Sequence, residues 1–138
     1  MVDAKALRQA LTVFLGPERF QKFIYHFRDE DGFKFWQEQE WGKFISIHPE
    51  FSASIQELKV VLRICELHGD ELLPDSVEVI DGCVDYSPEY SEAHSTLFRN
   101  ARDLPFYTEG REHKGDRHDV WFCPTCRKAS ATWARLNS

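Results

Sequence analysis

The sequence predicts an α+β protein: a helical N-terminal part packed on a smaller C-terminal unit of short strands and helices. Two observations predict it. Through residues 1–64, apolar side chains recur three and four residues apart, the rhythm of helices with one buried face. From residue 65 that rhythm gives way to short β-prone runs, turn signals and two hooks of cysteine and histidine. The hydrophobic fraction is 42%, with 14% aromatic, over 138 residues. That is ample for a packed core and excludes a disordered chain. The parts, 1–64 and 65–138, are expected to share a continuous core and fold as one body.

Leu7, Leu11 and Phe14 fall on one face of a helix over Asp3–Leu15, with Asp3 as N-cap. Gly16 suits the position just past its end, and Pro17 the first turn of the next helix. Phe20, Phe23, Ile24 and Phe27 then form the clearest stripe in the chain. Burying each contributes about 1.5–3 kcal/mol before entropy is subtracted, so the stripe reads as core. A polar turn over residues 28–32 ends this helix. Residues 33–48 carry Phe33, Phe35, Trp36, Trp41, Phe44, Ile45 and Ile47. They read as one broken helix or two short ones, with Gly42 weakening the middle. Trp36 and Trp41 suit either the core or a contact surface. His48-Pro49 stops the segment, because the residue before proline avoids the helical region. Ser54 and Glu57 form a capping box that opens a helix bearing Ile55, Leu58, Val61 and Leu62. The same spacing carries Cys65 onto that face at the helix end.

The C-terminal half has shorter elements. Val77–Ile80 is a strand candidate closed by the turn signal Asp81-Gly82. Ser87 is placed to cap a helix carrying Tyr90, Ala93 and Leu97. Thr108–Asp119 is charged and glycine-dotted, a loop or the tip of a long hairpin. Val120–Phe122 is a strand delivering Cys123, and Arg127–Leu136 a final helix with Ala129, Trp133 and Leu136 on one face.

The hooks are Cys65-Glu66-Leu67-His68-Gly69 and Cys123-Pro124-Thr125-Cys126. Two residues between ligands let one tight turn aim both at a single ion. Three thiolates and an imidazole make a closed tetrahedral zinc set with no open position, the mark of a structural site. The CPxC spacing and the lack of an export signal favour metal over disulfides. Three thiolates on Zn2+ carry a net formal charge of about -1. Knuckle amides, with Arg127 or Lys128, are placed to offset it. Cys83 reads as a small buried residue, with the alternative that it replaces His68 as ligand. The order hook, strands, hook, helix suits a zinc-ribbon or treble-clef-like unit, the latter because Cys126 opens the final helical pattern.

The motif residues Cys65, His68, Gly69 and Leu72, then Phe98, Asn100 and Ala101, then Cys123, Pro124, Cys126 and Arg127 resemble a set of small uncharacterised bacterial zinc-binding proteins. The resemblance spans roughly residues 60–135, although Arg99 stands where that set often has proline. It implies zinc and a bacterial cytoplasmic origin, and it brings no activity with it.

Charge sharpens the functional reading. Residues 1–64 hold nine basic and nine acidic side chains; residues 65–109 hold two and eleven; residues 110–138 hold six and three. The acidic middle segment repels nucleic acid and steers a basic partner; the same carboxylates also serve to solvate a loop-rich surface. No nucleophile, base and acid stand at catalytic spacing. The expected function is therefore non-enzymatic: a zinc-stabilised protein, such as an immunity or adaptor protein, docking a basic protein through Asp81, Asp85, Tyr86, Glu89 and Tyr90. An alternative is a metal-dependent treble-clef nuclease using His113 or His118 with Asp116 or Asp119, although both histidines read first as solvated loop residues. A second alternative, DNA binding, rests on Arg127, Lys128 and Arg135. No apolar run approaches the ~20 residues of a membrane helix, and no signal-peptide pattern is visible, so a cytoplasmic protein is expected. Oligomeric state is not encoded in any motif.

Overall fold

The computed structural model describes residues 2–28, 30 and 32–137. It is mixed α and β, as expected, and divides into two compact units, Met1–Glu66 and Leu67–Ser138.

The first unit is helical: α1 (Ala4–Leu15), α2 (Pro17–Phe27), α3 (Phe35–Ile47), a short 3-10 turn (Pro49–Phe51) and α4 (Ile55–Val61). Asp3 caps α1, its carboxylate accepting the Ala6 N–H at 3.1 Å. Gly16 has φ 87 and ψ 156, a combination open to glycine and closed to side-chain-bearing residues. It lets α1 stop and α2 start with no intervening loop. Leu7 and Leu11 of α1 meet the whole Phe20, Phe23, Ile24 and Phe27 stripe of α2 in one core with Phe44, Leu58, Val61, Leu62 and Ile64. Of the polar turn expected at 28–32, Asp29 and Asp31 lie outside the described residues.

Residues 35–47 form one continuous helix, not a broken or double one. Its stability is tertiary rather than local. Gln37 is fully buried, its amide donating to the Phe23 carbonyl at 2.8 Å while its carbonyl accepts the Lys34 N–H at 2.8 Å. Those bonds fix the first turn of α3 against α2. Trp36 and Trp41 both lean on the core, Trp36 edge-on to Phe23 at 5.8 Å and Trp41 tilted against Phe44 at 5.4 Å. At the start of α4, Ser54 accepts the Glu57 N–H as expected, but Glu57 does not close the capping box. Its carboxylate instead accepts the backbone N–H of Val2 at 3.1 Å.

The second unit contains a three-stranded sheet ordered β2 (Phe106–Tyr107), β1 (Leu73–Ile80), β3 (Arg117–Phe122), with α5 (Pro88–Leu97) and α6 (Pro124–Leu136). β1 and β3 are antiparallel from Leu73↔Phe122 to Glu78↔Arg117, while β2 runs parallel to β1 at Val79 and Ile80. The strand expected over Val77–Ile80 therefore begins earlier, at Leu73. Proline 74 is tolerated there because β2 reaches only Val79 and Ile80, so no strand needs its missing N–H on that side. Ser87 caps α5, accepting the Tyr90 N–H at 3.1 Å. Phe98, Asn100 and Ala101 are buried, and Phe98 packs with Tyr90 of α5 and Trp133 of α6. Among the described residues, no helix is long and apolar enough to cross a membrane.

Gly42 sits exposed inside α3, and a Cβ there would meet nothing within 4 Å. Gly42→Ala is expected to stabilise the fold by about 0.5–1 kcal/mol, because alanine loses less backbone entropy in a helix. Urea unfolding measures it; a lower midpoint would contradict the account of α3.

Candidate metal centre

Each hook is shaped by its local sequence. After Val61 the α4 helix tightens: the Leu62 N–H points to both Leu58 and Val60 carbonyls, and the Arg63 N–H bonds Val60 at 3.3 Å. The helix therefore ends before Cys65, which is not presented on a helical face as its spacing suggests. Burial and charge hold it instead. Ile64 on one side belongs to the hydrophobic core. Glu66 on the other is ion-paired with Arg28, with 2% and 9% of the two side chains exposed. Arg28 Nη2 also donates to the Ile64 carbonyl at 3.4 Å. Gly69, at φ 77, lets the chain reverse immediately after His68.

The second hook is the beginning of α6. The helix starts at Pro124, earlier than the expected Arg127, with Cys123 as N-cap and proline in its first turn. The Cys126 N–H points back to Cys123 Sγ at 3.4 Å. The Cys123 sulfur thus lies at the start of the helix beside a backbone donor.

The two hooks converge. Ligand atoms of Cys65, His68, Cys123 and Cys126 all lie within 4.8 Å of one another. His68 Nδ1 is 3.3 Å from Cys126 Sγ and 3.7 Å from Cys123 Sγ. The three thiols are buried and His68 is exposed. The group can hold a metal ion, and the fourth member is His68, not Cys83, whose thiol is exposed outside it. No known protein family, curated protein or solved structure matches this chain.

Around the ligands lie residues that the spacing rules do not reveal. Asp70 accepts a hydrogen bond from the Thr125 hydroxyl, tying the turn after His68 to the first turn of α6. That hydroxyl is the main reason the Asp70 carboxyl sits below its ordinary range. The Cys123 N–H donates to the Asn100 carbonyl at 2.8 Å. Arg127 donates to the Ala101 carbonyl at 2.8 Å and the Arg102 carbonyl at 3.0 Å, pairs with Asp75 at 2.8 Å and lies 3.6 Å over the Phe122 ring. It acts as a clamp on neighbouring backbone, a role the expected charge offset did not anticipate. The Asn100 and Ala101 motif was visible in the sequence, but its meeting with the second hook was not.

The remaining candidate residues separate. Tyr86 and Tyr90 stack at 4.8 Å, and Asp85 and Glu89 are exposed beside them. Asp81 accepts the Thr108 hydroxyl at 2.9 Å, so it also closes the turn after β1. His113 and His118 are not solvated loop residues: they are partly buried, their Nε2 and Nδ1 atoms 3.0 Å apart, and Phe106 stacks on His118 at 3.9 Å. Among the described residues, no third metal-ligating group joins them, and Asp116 and Asp119 form no such cluster with them. Arg135 and Lys128 are exposed on α6.

Two outcomes are expected. Elemental analysis of the purified chain should find one metal ion per chain, lost in Cys126→Ala and kept in Cys83→Ser; the reverse pattern would reject the ligand set. Arg28→Ala should destabilise the chain by about 3–5 kcal/mol, because it removes the buried guanidinium from its ion pair with Glu66. Denaturant unfolding of this variant beside Glu66→Ala checks that figure, and a loss under about 1 kcal/mol would show that the pair is not what holds the hook.

Proposed function

We propose that the chain is a non-enzymatic, zinc-stabilised protein that docks a basic protein partner. Zinc is favoured by the ligand chemistry. Zn–S of about 2.3 Å and Zn–N of about 2.0–2.1 Å at a tetrahedral angle put sulfur and nitrogen about 3.6 Å apart. The two observed separations, 3.3 and 3.7 Å, bracket that value. With four protein ligands the ion has no position left for water or substrate, so its role is to hold the hooks. A treble-clef-like reading of the second unit is supported by a ligand pair at a helix start directly after an antiparallel strand.

The observation that carries docking is the Tyr86–Tyr90 stack with exposed Asp85 and Glu89 next to it. Stacked tyrosines offer rigid apolar area at low entropic cost, the kind of anchor that dominates interfaces. Carboxylates at the rim speed encounter with a basic surface and reject acidic ones. The surrounding segment, with eleven acidic and two basic side chains, extends that field. An immunity or adaptor protein has these requirements.

The test compares affinity capture from a bacterial lysate by the wild-type chain and by Asp85→Lys/Glu89→Lys, with Asp81 left intact because it also bonds Thr108. A basic protein should be recovered at low salt by the wild type and reduced at least about tenfold by the double reversal, since electrostatic contacts at a rim weaken with salt and with sign. Equal recovery by both would sink the docking reading while leaving the metal site untouched.

A further inference from the structure

The second unit also carries a cleft of about 420 Å3 that none of the metal ligands lines. Its size falls within the range of small-molecule sites. Two ring stacks border it. Tyr90 stacks on Tyr86 at 4.8 Å and on His94 at 6.0 Å; Phe106 stacks on His118 at 3.9 Å. Val77 and Val120 add aliphatic surface.

Only two residues lining the cleft carry formal charge, and they are adjacent: Arg102 and Asp103. Burial holds His94 and His118 below the ordinary imidazole range, and Arg102 pushes both further down. Around His94 stand Arg99, which also lowers it, and Asp103, which opposes; around His118 stand His113, which lowers it, and Asp119, which opposes. Burial raises Tyr86 and Tyr90, Tyr90 to about 12, with Asp103 adding to both. The cleft lining thus holds one guanidinium and one carboxylate, in adjacent residues, among phenol and imidazole rings.

Arg102 is also strained. Its φ of 49 is left-handed, which among the described non-glycine residues occurs only here and at Glu109. Such a conformation is costly for a side-chain-bearing residue and persists only where surroundings impose it. The Arg127 guanidinium donates to the carbonyls of Ala101 and of Arg102 itself, on both sides of this residue's φ and ψ. Arg102 thus lines the cleft from a backbone position bonded on both sides by Arg127.

We propose that this cleft binds a free aromatic α-amino acid, its carboxylate toward Arg102, its ammonium toward Asp103 and the tyrosine faces, and its ring among the aromatic side chains. A guanidinium recognises a carboxylate through two parallel charge-assisted bonds. An ammonium is attracted both by a carboxylate and by phenol faces. A residue inside a peptide carries neither backbone charge, so the paired charges select the free zwitterion. This goes beyond the docking reading and shares only Tyr86 and Tyr90 with it.

Isothermal titration of the full metal-loaded chain with L-phenylalanine, L-tyrosine and L-tryptophan tests it. At least one should bind with one-to-one stoichiometry. Taking phenylalanine as the case, 3-phenylpropionate, which lacks the ammonium, and phenethylamine, which lacks the carboxylate, should each bind about tenfold or more weakly, as should N-acetylphenylalanine amide. Arg102→Gly suits the backbone at φ 49 and removes the guanidinium, so it should keep the melting temperature and lose about tenfold or more in affinity. Asp103→Asn should narrow the preference for phenylalanine over 3-phenylpropionate. Absence of heat with all three amino acids, equal binding of the singly charged analogues, or an unaltered affinity in both variants would overturn the proposal. Asp85 and Glu89 remain intact in these variants, so their outcome is read separately from partner capture.

Discussion

The second unit depends on the first turn of one helix. Four consecutive residues, Cys123 to Cys126, cap α6, supply its N-terminal proline and aim two sulfur ligands at one point. The next residue, Arg127, reaches two carbonyls, a carboxylate and a ring in the surrounding chain. Cap, ligand pair and clamp share one turn because a helix start brings unsatisfied N–H groups and closely spaced side chains together. The Cys123 N–H, bonded to Asn100, completes the link to the buried Phe98–Ala101 segment. The candidate metal site and the cleft are thus joined through hydrogen bonds from Cys123 and Arg127 to the backbone of residues 100–102. Arg127, next to Cys126, also bonds the backbone of the loop that carries Arg102.

Buried polar groups play a comparable part in the first unit. Gln37 is fully buried, yet both ends of its amide are bonded to backbone. Arg28 and Glu66 form an enclosed ion pair beside Cys65 of the candidate metal site. Such groups are expensive to desolvate, and their value lies in admitting one arrangement rather than in net stability. For Cys65 the consequence is definite. It stands between a core isoleucine and a paired glutamate, which anchor the chain on either side of it.

Much of the helical architecture was legible. Asp3, Gly16, Pro17, Ser54 and Ser87 mark boundaries where the structure has them, because capping is a contest among neighbouring atoms that composition states directly. The failures are as local. Glycine at 42 argued for a break, but burial of Gln37 and Phe44 outweighs a penalty of about 1 kcal/mol. The helical rhythm from Leu58 and Leu62 pointed through Cys65, but the tightened turn at Leu62 ends it. Half of β1 went unseen, since Pro74, Asp75 and Ser76 have little strand preference and gain their pairing from β3.

What the sequence determined by itself is what near neighbours decide: helix faces, caps, and two hooks whose ligands sit two residues apart. Tertiary structure alone decided which residues meet across the chain. It placed His68 rather than Cys83 with the three thiols, paired His113 with His118, gave Phe106 and Tyr107 a strand, and set Arg102 and Asp103 beside rings from α5 and β3. The physical reason is that spacing constrains side chains within a turn or two, whereas contacts over tens of residues follow from the packing of whole elements.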